Sequence, residues 1–534
     1  MTPGWSWTLL DDATKFVPAS VNFQQEAKVT ASLPDDATPL DFVKLYFTEQ
    51  VIDLVVIQTN RYAEQYIASH VLPPHSSVNR WHPTDRDEMY TFLGLSVLMG
   101  IVYKPRLAMY WSSDELYESG IFSKTMQRDR YLLLLRFLHF VDNDLIDSKD
   151  PNRDRLAKIR EVMNLLKIQC SAVFQPGRDL CVDESLLLFK GRLAFKQFIR
   201  TKRARFGIKL FELCTSNGIL LDFMIYHGQM SRELVVPANQ EMLKSELIPI
   251  TLMHRFLNRG HRLFMDNYYT SPNLVKFLLE HETKVVGTVR SNRRNFPPEL
   301  AAACMQRGES KFALSDNGIV AVKFRALQDK SNKQEKVVFL LSSDHGNDVV
   351  SSGKQTKDGQ VIMKPTCVLD YNKNMGGVDM MDQQLESLLV IRKAYKWYKK
   401  LFFRLLMQSF LSAHKLYQLN GGKNDFLKYL HDVVTQLLTC SQRLSATAKS
   451  LDGIARLTGR THFPSKRAYE GQATKRSSKK KVCRVCYARG IRTAKGGCVE
   501  TTWVCEACPS IPGLCAEKSC FRDYHTKFDY SLSQ

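Results

Sequence analysis

The sequence contains no apolar stretch long enough to cross a lipid bilayer. Its best apolar run, Phe92 to Val102, is much shorter than the about 20 residues that a spanning helix needs. The first residues lack a basic segment followed by an apolar core, so no signal peptide is expected. Cysteine is sparse over most of the chain, because seven of the 13 lie between Cys483 and Cys520. These absences favour a soluble protein of a reducing, intracellular compartment over a membrane protein or a disulfide-rich secreted one.

Acidic residues are outnumbered by basic ones, 54 against 75, which gives a formal net charge of +21 over 534 residues. An excess of this size favours a polyanion as partner, since cations that neutralise phosphates release counterions. The alternative is a merely basic protein without such a partner. The apolar fraction of 44% is that of a folded protein, and the length is sufficient for several domains.

The periodicity of the apolar residues changes along the chain. Helical spacing begins near Pro39 and returns after about Val390, whereas strand-like patterns fill the segment from Leu180 to Val289. That segment reads as three antiparallel strands with an Asn-Gly turn, then a helix, a strand, a helix and a strand. This succession matches a ribonuclease-H-like fold. We therefore predict a multidomain α+β protein with a ribonuclease-H-like α/β core, a β-rich insertion, a split α-helical domain and a C-terminal Cys-rich domain.

The predicted domain boundaries follow these changes of pattern. They are a flexible N-terminal lead over 1–35, the helical domain over 36–178 and 390–455, the core over 179–290 and 366–389, the β-rich insertion over 291–365, a basic linker over 456–481 and the Cys-rich domain over 482–530.

Three aspartates from distant segments are candidates for one metal site. Asp266 ends a short apolar strand, Asp183 lies in the strand pattern that begins at Leu180, and Asp379 follows a Gly-Gly pair that opens a helix. Ligands gather at the carboxyl ends of strands in open α/β sheets, and Mg²⁺ prefers carboxylate oxygens. Two such ions about 3.5–4 Å apart can activate a nucleophile and stabilise a leaving oxygen at a phosphodiester. Asp382 lies one helical turn after Asp379 and shares its face. Any one of these residues taken alone would more often be an exposed or capping Asp.

Cysteines near the C-terminus have the spacing of zinc ligands. The candidates are two Cys-x₂-Cys pairs, Cys483 with Cys486 and Cys505 with Cys508, followed by Cys515, Cys520 and His525, with Cys498 as a spare. Eight candidates would allow two tetrahedral ions, but the spacing leaves open which ligands share an ion. Disulfides are the alternative, and the predicted reducing compartment argues against them.

Two basic segments are candidates for contact with nucleic acid. The first contains Lys202, Arg203 and Arg205, and the second contains Arg392, Lys393, Lys396, Lys399 and Lys400 interleaved with aromatic residues. Cations bind phosphates, and aromatic rings pack on sugars or bases. Equally, Trp397 could be a core residue among solvated lysines. The run from Lys475 to Lys481 could be a nuclear localisation signal, a phosphate-binding linker or only a solvated linker.

The motifs, taken in this order, resemble the piggyBac transposase family, and most of all the vertebrate piggyBac transposable element-derived proteins. The matching blocks are Val182-Asp183-Glu184 with Phe189-Lys190-Gly191-Arg192 and 202–209, then Met265 to Pro272, then Asn374 to Gln383. The resemblance runs from about Pro39 to the C-terminus. It implies a DDE/D DNA transposase that cuts DNA at inverted-repeat ends and joins it to TTAA targets.

The resemblance also implies roles for the candidate residues. Asp183, Asp266 and Asp379 become the catalytic triad that binds Mg²⁺ or Mn²⁺, and Asp382 the accessory acid of the same helix. The helical domain would bind double-stranded DNA and form a homodimer, and the Cys-rich domain would bind zinc and transposon-end DNA. A nuclear location follows. One departure is the N-terminus, since family members often carry a longer acidic lead. The alternative is a domesticated, sequence-specific DNA-binding protein that no longer transposes; a non-transposing nuclease fits the Cys-rich domain less well.

Overall fold

The structure is a computed structural model. It describes residues 5–11, 14–147, 149–200, 205–228, 230, 233–238, 241–326, 337–356, 359–388, 390, 394–439, 464–466, 480–505, 508, 511–516 and 518–526. The chain forms two compact units, Met1–Leu438 and Thr439–Gln534. Among the described helices, none combines the length and the apolar character that a membrane span requires.

The first unit is built on one large mixed sheet. Ten strands join it within the described residues: β1 (Trp7–Leu10), β4 (Asp179–Leu188), β5 (Gln197–Phe198), β6 (Phe206–Thr215), β7 (Leu220–Ile225), β8 (Arg262–Met265), β9 (Lys284–Thr288), β10 (Ser310–Ser315), β11 (Val320–Arg325) and β12 (Val337–Ser342). Two small ribbons stand outside it: β2 (Lys28–Val29) with β3 (Phe174–Gln175), and β13 (Val349–Gln355) with β14 (Val361–Pro365).

Strand β4 lies at the centre of this sheet. It pairs antiparallel with β6 on one side and parallel with β8 on the other, and β8 pairs parallel with β9. Strands β5 and β7 pair with different parts of β6. The residues Leu180 to Val182 and Leu263 to Met265 are buried, as expected for apolar runs covered on both faces of a sheet. Their burial fixes the positions of the polar residues that follow them.

The segment 291–365 extends the same sheet. Strand β12 pairs antiparallel with β9, and β11 and β10 continue outward from it. The alternation of residues in this segment predicts strands, and strands are present. The sequence pattern does not say which sheet edge the strands join, because edge pairing depends on a partner far away in the chain.

The N-terminal lead, predicted to be flexible, follows the sheet in its described part. Strand β1 pairs antiparallel with β10, and the Phe16 N–H donates to Asn347 Oδ1 at 3.1 Å. The Lys284 ammonium donates to the Ala19 carbonyl at 2.5 Å. The expectation of flexibility came from the irregular, polar composition of the lead. These three contacts join residues more than 260 positions apart, which no local pattern reveals.

Helices cover the sheet and form a block beside it. They are α1 (Pro39–Tyr46), α2 (Glu49–Ser69), α3 (Arg86–Ile101), α4 (Gly120–Thr125), α5 (Arg128–Phe137), α6 (Arg160–Ala172), α7 (Lys244–Met253), α8 (Pro272–Glu280), α9 (Pro298–Ala302), α10 (Thr366–Asn374), α11 (Gly377–Glu386), α12 (Trp397–Leu419) and α13 (426–439), with 3₁₀ turns at Ser77–Arg80, Leu107–Trp111 and Asn143–Leu145.

Helix α12 joins the early helices to the sheet. The rings of Phe140 and Phe402 stack with centroids 4.5 Å apart, and Phe47 packs edge-on against Phe402 at 5.9 Å. On the sheet side, Ser412 Oγ accepts from the Leu220 N–H of β7 at 3.1 Å. The helices before β4 and those after residue 390 therefore pack together, while their definition as one separate domain stays a prediction.

The second unit is small and rich in cysteine. It contains β15 (Pro464–Lys466), β16 (Lys481–Val482), β17 (Glu500–Thr501), β18 (Trp503–Cys505), α14 (Arg484–Ala488) and α15 (Cys520–Thr526). Strands β16 and β17 pair, as do β15 and β18. Its core is mostly Cys side chains, with Val485, Leu514 and Tyr524 among them. So few apolar groups do not stabilise a fold of this size without metal or cross-links.

Candidate active site and zinc sites

Asp183 and Asp266 meet because β4 and β8 are parallel neighbours. Val182 lies opposite Met265 in the register, so the residues that follow them, Asp183 and Asp266, lie side by side. Carboxylate oxygens of Asp183, Glu184 and Asp266 all lie within 4.8 Å of one another. Three carboxylates that converge in this way are a donor set suited to a hard divalent cation.

Asp379 reaches the same region from the first turn of α11. That helix begins against the sheet, since a Cβ added at Gly377 would overlap the Thr215 carbonyl oxygen and lie 2.6 Å from the Cys181 sulfur. The charge of Asp379 is one of the causes that raise the pKa of Asp183. The structure therefore brings Asp379 near Asp183, although Asp379 does not belong to the group of carboxylates whose oxygens lie within 4.8 Å of one another.

Substituting Gly377 by Ala should test how closely α11 must approach the sheet. We expect a loss of about 1–3 kcal/mol in the free energy of unfolding, because the new methyl group has no space. Urea unfolding followed by circular dichroism measures this. Gly376→Ala is the matched control, since no heavy atom lies within 4 Å of the added Cβ, and it should change stability by less than about 1 kcal/mol. Equal effects of the two substitutions would contradict the close packing.

Burial and mutual repulsion perturb the carboxylates of this cluster. The pKa of Asp183 is raised to about 8, first by burial and then by the charges of Glu184, Asp266 and Asp379. The pKa of Asp266 is also raised, mainly by burial and then by the charge of Glu184. A divalent cation bound among these groups would relieve the repulsion, so the electrostatics and the donor set agree.

The raised pKa predicts how stability depends on pH without added Mg²⁺ or Mn²⁺. Folded Asp183 binds a proton up to about pH 8, whereas the unfolded residue loses it near pH 4. The free energy of unfolding should therefore fall as pH rises from 5 to 8, by up to about 1.4 kcal/mol per pH unit for one proton. Urea unfolding should show a smaller slope for Asp183→Asn and an unchanged slope for Asp316→Asn, a residue in an exposed turn. Equal slopes for Asp183→Asn and the unsubstituted chain would contradict this assignment.

Several residues at the cluster had no role assigned from the sequence. The Tyr269 hydroxyl donates to Glu184 Oε2 at 3.4 Å, and Lys209 Nζ lies 3.8 Å from the same oxygen. Burial, together with the charges of the Asp residues, raises the pKa of Tyr371 to about 12. Glu184 could have been found as the neighbour of Asp183. Tyr371 carries no signal in one sequence, because α10 brings it to the cluster only through tertiary packing.

Asp382 is placed differently from Asp379. Its carboxylate pairs with the guanidinium of Arg404 on α12. Both aspartates line a cleft of about 740 Å³ whose lining includes Leu187, Phe403 and Met407. Lys190 and Arg205 are exposed at its rim, and Lys400, which also lines it, is buried. The sequence pattern places Asp379 and Asp382 on one helix face but does not reveal Arg404 as a partner.

The candidate DNA-contacting residues have different surroundings. Lys202, Arg203, Arg392 and Lys393 lie outside the described residues. Arg205 and Lys400 line the cleft, and Lys396 is exposed. Lys399 is buried and donates to the carbonyls of Leu135 and Arg136 at 2.8 and 2.7 Å. Burial lowers its pKa to about 7. The Lys399 side chain therefore satisfies carbonyl groups at the C-terminal end of α5 and does not face solvent. The ring of Trp397 packs against that of Phe195, with centroids 5.3 Å apart.

The cysteine candidates divide into two groups. Cys483, Cys486, Cys515 and Cys520 have sulfurs within 4.8 Å of one another, and Cys505, Cys508 and His525 form a second group of the same compactness. Cys498 joins neither group among the residues that the structure describes. The ring of His525 places Nδ1 2.8 Å from the Phe521 carbonyl and Nε2 3.4 Å from the Cys508 sulfur. Donation from Nδ1 would leave Nε2 as a metal ligand, a common arrangement at zinc sites.

Comparison with known proteins gives the family. Residues 38–414 match the family described as Transposase IS4, and residues 467–526 match the DDE_Tnp_1-like zinc finger. The human PiggyBac transposable element-derived protein 3 is 26% identical over 537 residues, covering 96% of this chain and 81% of that protein. The chain belongs to the piggyBac-like transposase family. The resemblance predicted from the motifs is thereby confirmed.

Two further relatives extend this result. The human PiggyBac transposable element-derived protein 2 is 26% identical over 400 residues, covering 72% of this chain and 62% of that protein. A chain in a structure of the piggyBac transposase synaptic complex with hairpin DNA is 24% identical, with a TM-score of 0.66, covering 88% of this chain and 93% of that one. The mixed α/β, multidomain fold is therefore shared with that transposase, as the sequence predicted in outline.

Proposed function

We propose that this protein is a metal-dependent DNA transposase, which cleaves strands at inverted-repeat ends and transfers them into TTAA targets. The observation that carries the proposal is the convergence of Asp183, within β4, and Asp266, at the end of the adjacent parallel strand β8, with the helix of Asp379 beside them. Family membership supports this class of reaction, and the convergence of the carboxylates supports a metal site at this point of the sheet.

The sheet order supports a ribonuclease-H-like core. The strands β7, β6, β4, β8 and β9 are neighbours in that order. The first three are antiparallel and the last two run parallel to β4. We assign this core to 179–290 and 366–389. The remaining assignments are the lead over 1–35, the helical domain over 36–178 and 390–455, the insertion over 291–365, the linker over 456–481 and the Cys-rich domain over 482–530.

In this proposal Asp183, Asp266 and Asp379 hold Mg²⁺ or Mn²⁺, and Asp382 is the accessory acid of α11. The bound cations would supply Lewis acidity at the scissile phosphate and at the attacking water. Glu184 adds negative charge beside Asp183 and Asp266 and accepts a hydrogen bond from Tyr269. Arg205, which is exposed in the cleft that Asp379 lines, would contact DNA phosphates there, whereas Lys400 lines the same cleft but is buried.

The partners proposed are double-stranded DNA and a second copy of the chain, in the nucleus. The net charge of +21 supports a polyanion partner. Two zinc ions would occupy the two groups of the second unit, whose ligand types suit zinc. The zinc-bearing unit would contact transposon-end DNA, as in the family.

Cleavage of DNA by the purified full-length chain tests the function. The substrates are labelled duplexes ending in the inverted repeats, where present, that flank the gene and its genomic copies. We expect nicks at the repeat ends that require Mg²⁺ or Mn²⁺ and joining to TTAA-containing duplexes. Binding to the ends without any cleavage would favour the domesticated DNA-binding protein instead, and absence of both would overturn the proposal.

A further inference from the structure

A buried charged network connects α11, α12 and β6 next to the proposed metal site. Glu212 of β6 lies directly opposite Asp183 in the antiparallel register, so both side chains are on the same face of the sheet. Glu212 is fully buried, and Gln408 Nε2 of α12 donates to its Oε1 at 2.5 Å. A carboxylate so deep in the fold requires a compensating cation.

Arg404 provides that positive charge and binds α11 at the same time. Its guanidinium pairs with Asp382, and its charge counteracts the burial that raises the pKa of Glu212 to about 7. The Arg404 side chain is only 13% exposed, which makes the pair stronger than one at the surface. Asp382 is thus engaged with α12, while the charge of Asp379, one turn earlier, acts on Asp183.

Helix α11 is consequently anchored at two places. Its first turn presses against β4 and β6 through Gly377. Its second turn is held from α12 by the Asp382–Arg404 pair and by Gln408, whose Nε2 lies 3.8 Å from the Met381 sulfur. Asp379 lies between the two anchors, so rotation or displacement of the helix would move its carboxylate away from Asp183.

We propose that Asp382 and Arg404 are a positioning pair, which orients α11 so that Asp379 joins Asp183 and Asp266 around the divalent cation. Asp382 acts through Arg404 and does not ligate the metal. This inference rests on the proposed function for the reaction, but its consequence for cation binding can be measured without DNA.

Neutralising Arg404 should change the affinity for the divalent cation, and the direction of that change separates a purely electrostatic effect from a positioning role. Removal of a nearby positive charge alone should strengthen cation binding. Loss of the anchor should weaken it. For the full-length, zinc-loaded chain, we expect Asp382→Asn and Arg404→Gln each to raise the Kd for Mn²⁺ about tenfold, and the double variant to raise it by about the same factor, since the two residues act as one unit.

Electron paramagnetic resonance, which detects free Mn²⁺, gives these Kd values. The Mn²⁺ binding that is lost in Asp266→Asn is assigned to the proposed catalytic metal site. Lys190→Gln is the matched control, because it removes a positive charge from the rim of the same cleft without touching the pair. Its Kd should stay the same or decrease slightly. Thermal melting shows whether each variant is folded. If Arg404→Gln does not fold, Arg404→Lys replaces it, and we expect an increase of about threefold because the ammonium reaches Asp382 less well.

Two outcomes would overturn the inference. In the first, Asp382→Asn weakens Mn²⁺ binding while the Arg404 variants leave it unchanged or strengthen it, which would make Asp382 a direct ligand. In the second, neither substitution changes the Kd. The unsubstituted chain could fail to cleave DNA while the Kd values follow the expected pattern. That result would refute the proposed function but not the positioning role of Asp382 and Arg404.

Discussion

Removal of zinc is expected to unfold the second unit while the first unit remains folded. The core of the second unit consists largely of Cys483, Cys486, Cys505, Cys508 and Cys520, whose thiols are the proposed zinc ligands and supply little apolar packing. Structural zinc contributes about 10–16 kcal/mol of apparent free energy in small zinc-binding peptides at pH 7. Burial of the few aliphatic and aromatic side chains of this unit does not contribute a comparable free energy of folding.

The measurement combines a chelator with limited proteolysis and mass spectrometry. After treatment with 1,10-phenanthroline we expect cleavage sites throughout 480–526 and protection of the segments of the first unit that pack in the sheet. Released zinc, measured with a chromogenic chelator, should approach two ions per chain.

Substitution of single cysteines provides the control. Cys508→Ser should release zinc and expose the unit to protease, because its sulfur belongs to the second ligand group. Cys304→Ser should do neither, since Cys304 is exposed and lies in the first unit. Protection of 480–526 that persists without zinc would show that the unit folds by packing alone.

Replacement of Asp266 by Asn is expected to abolish metal-dependent cleavage of DNA. The amide keeps the shape of the side chain but removes one of the proposed anionic ligands beside Asp183. Metal ions contribute several kcal/mol to stabilisation of such transition states, so the rate should fall by about 10³-fold or more. Folding should be retained, because the substitution lowers the repulsion that raises the pKa of Asp183.

Single-turnover cleavage of an end-labelled duplex measures the loss. Asp316→Asn is the control, because it makes the same chemical change in an exposed turn, and it should cleave at the unsubstituted rate. Binding of DNA by Asp266→Asn should persist, since the basic residues are unchanged. Cleavage by Asp266→Asn within tenfold of the unsubstituted rate would exclude Asp266 as a metal ligand.

Much of the fold and of the site can be predicted from local patterns. Leu263 to Met265 predict a buried strand that ends at Asp266, because an apolar run and its polar end are properties of adjacent residues. The spacing of Cys483 and Cys486 predicts zinc for the same reason, since a Cys-x₂-Cys turn brings two sulfurs to one ion. The family, too, follows from short motifs in a fixed order.

The local sequence is sufficient for the types of element, for the ligand chemistry and for the family of this protein, because each depends on residues that are close in the chain. The tertiary structure alone decides which groups meet: Cys515 and Cys520 with the first cysteine pair, Asp382 with Arg404, and buried Lys399 with the end of α5. It also decides that β1 of the N-terminal lead joins the edge of the sheet. These contacts join segments that are many residues apart in the chain. They are stabilised by the burial and packing of the whole unit, which cannot be read from a local pattern.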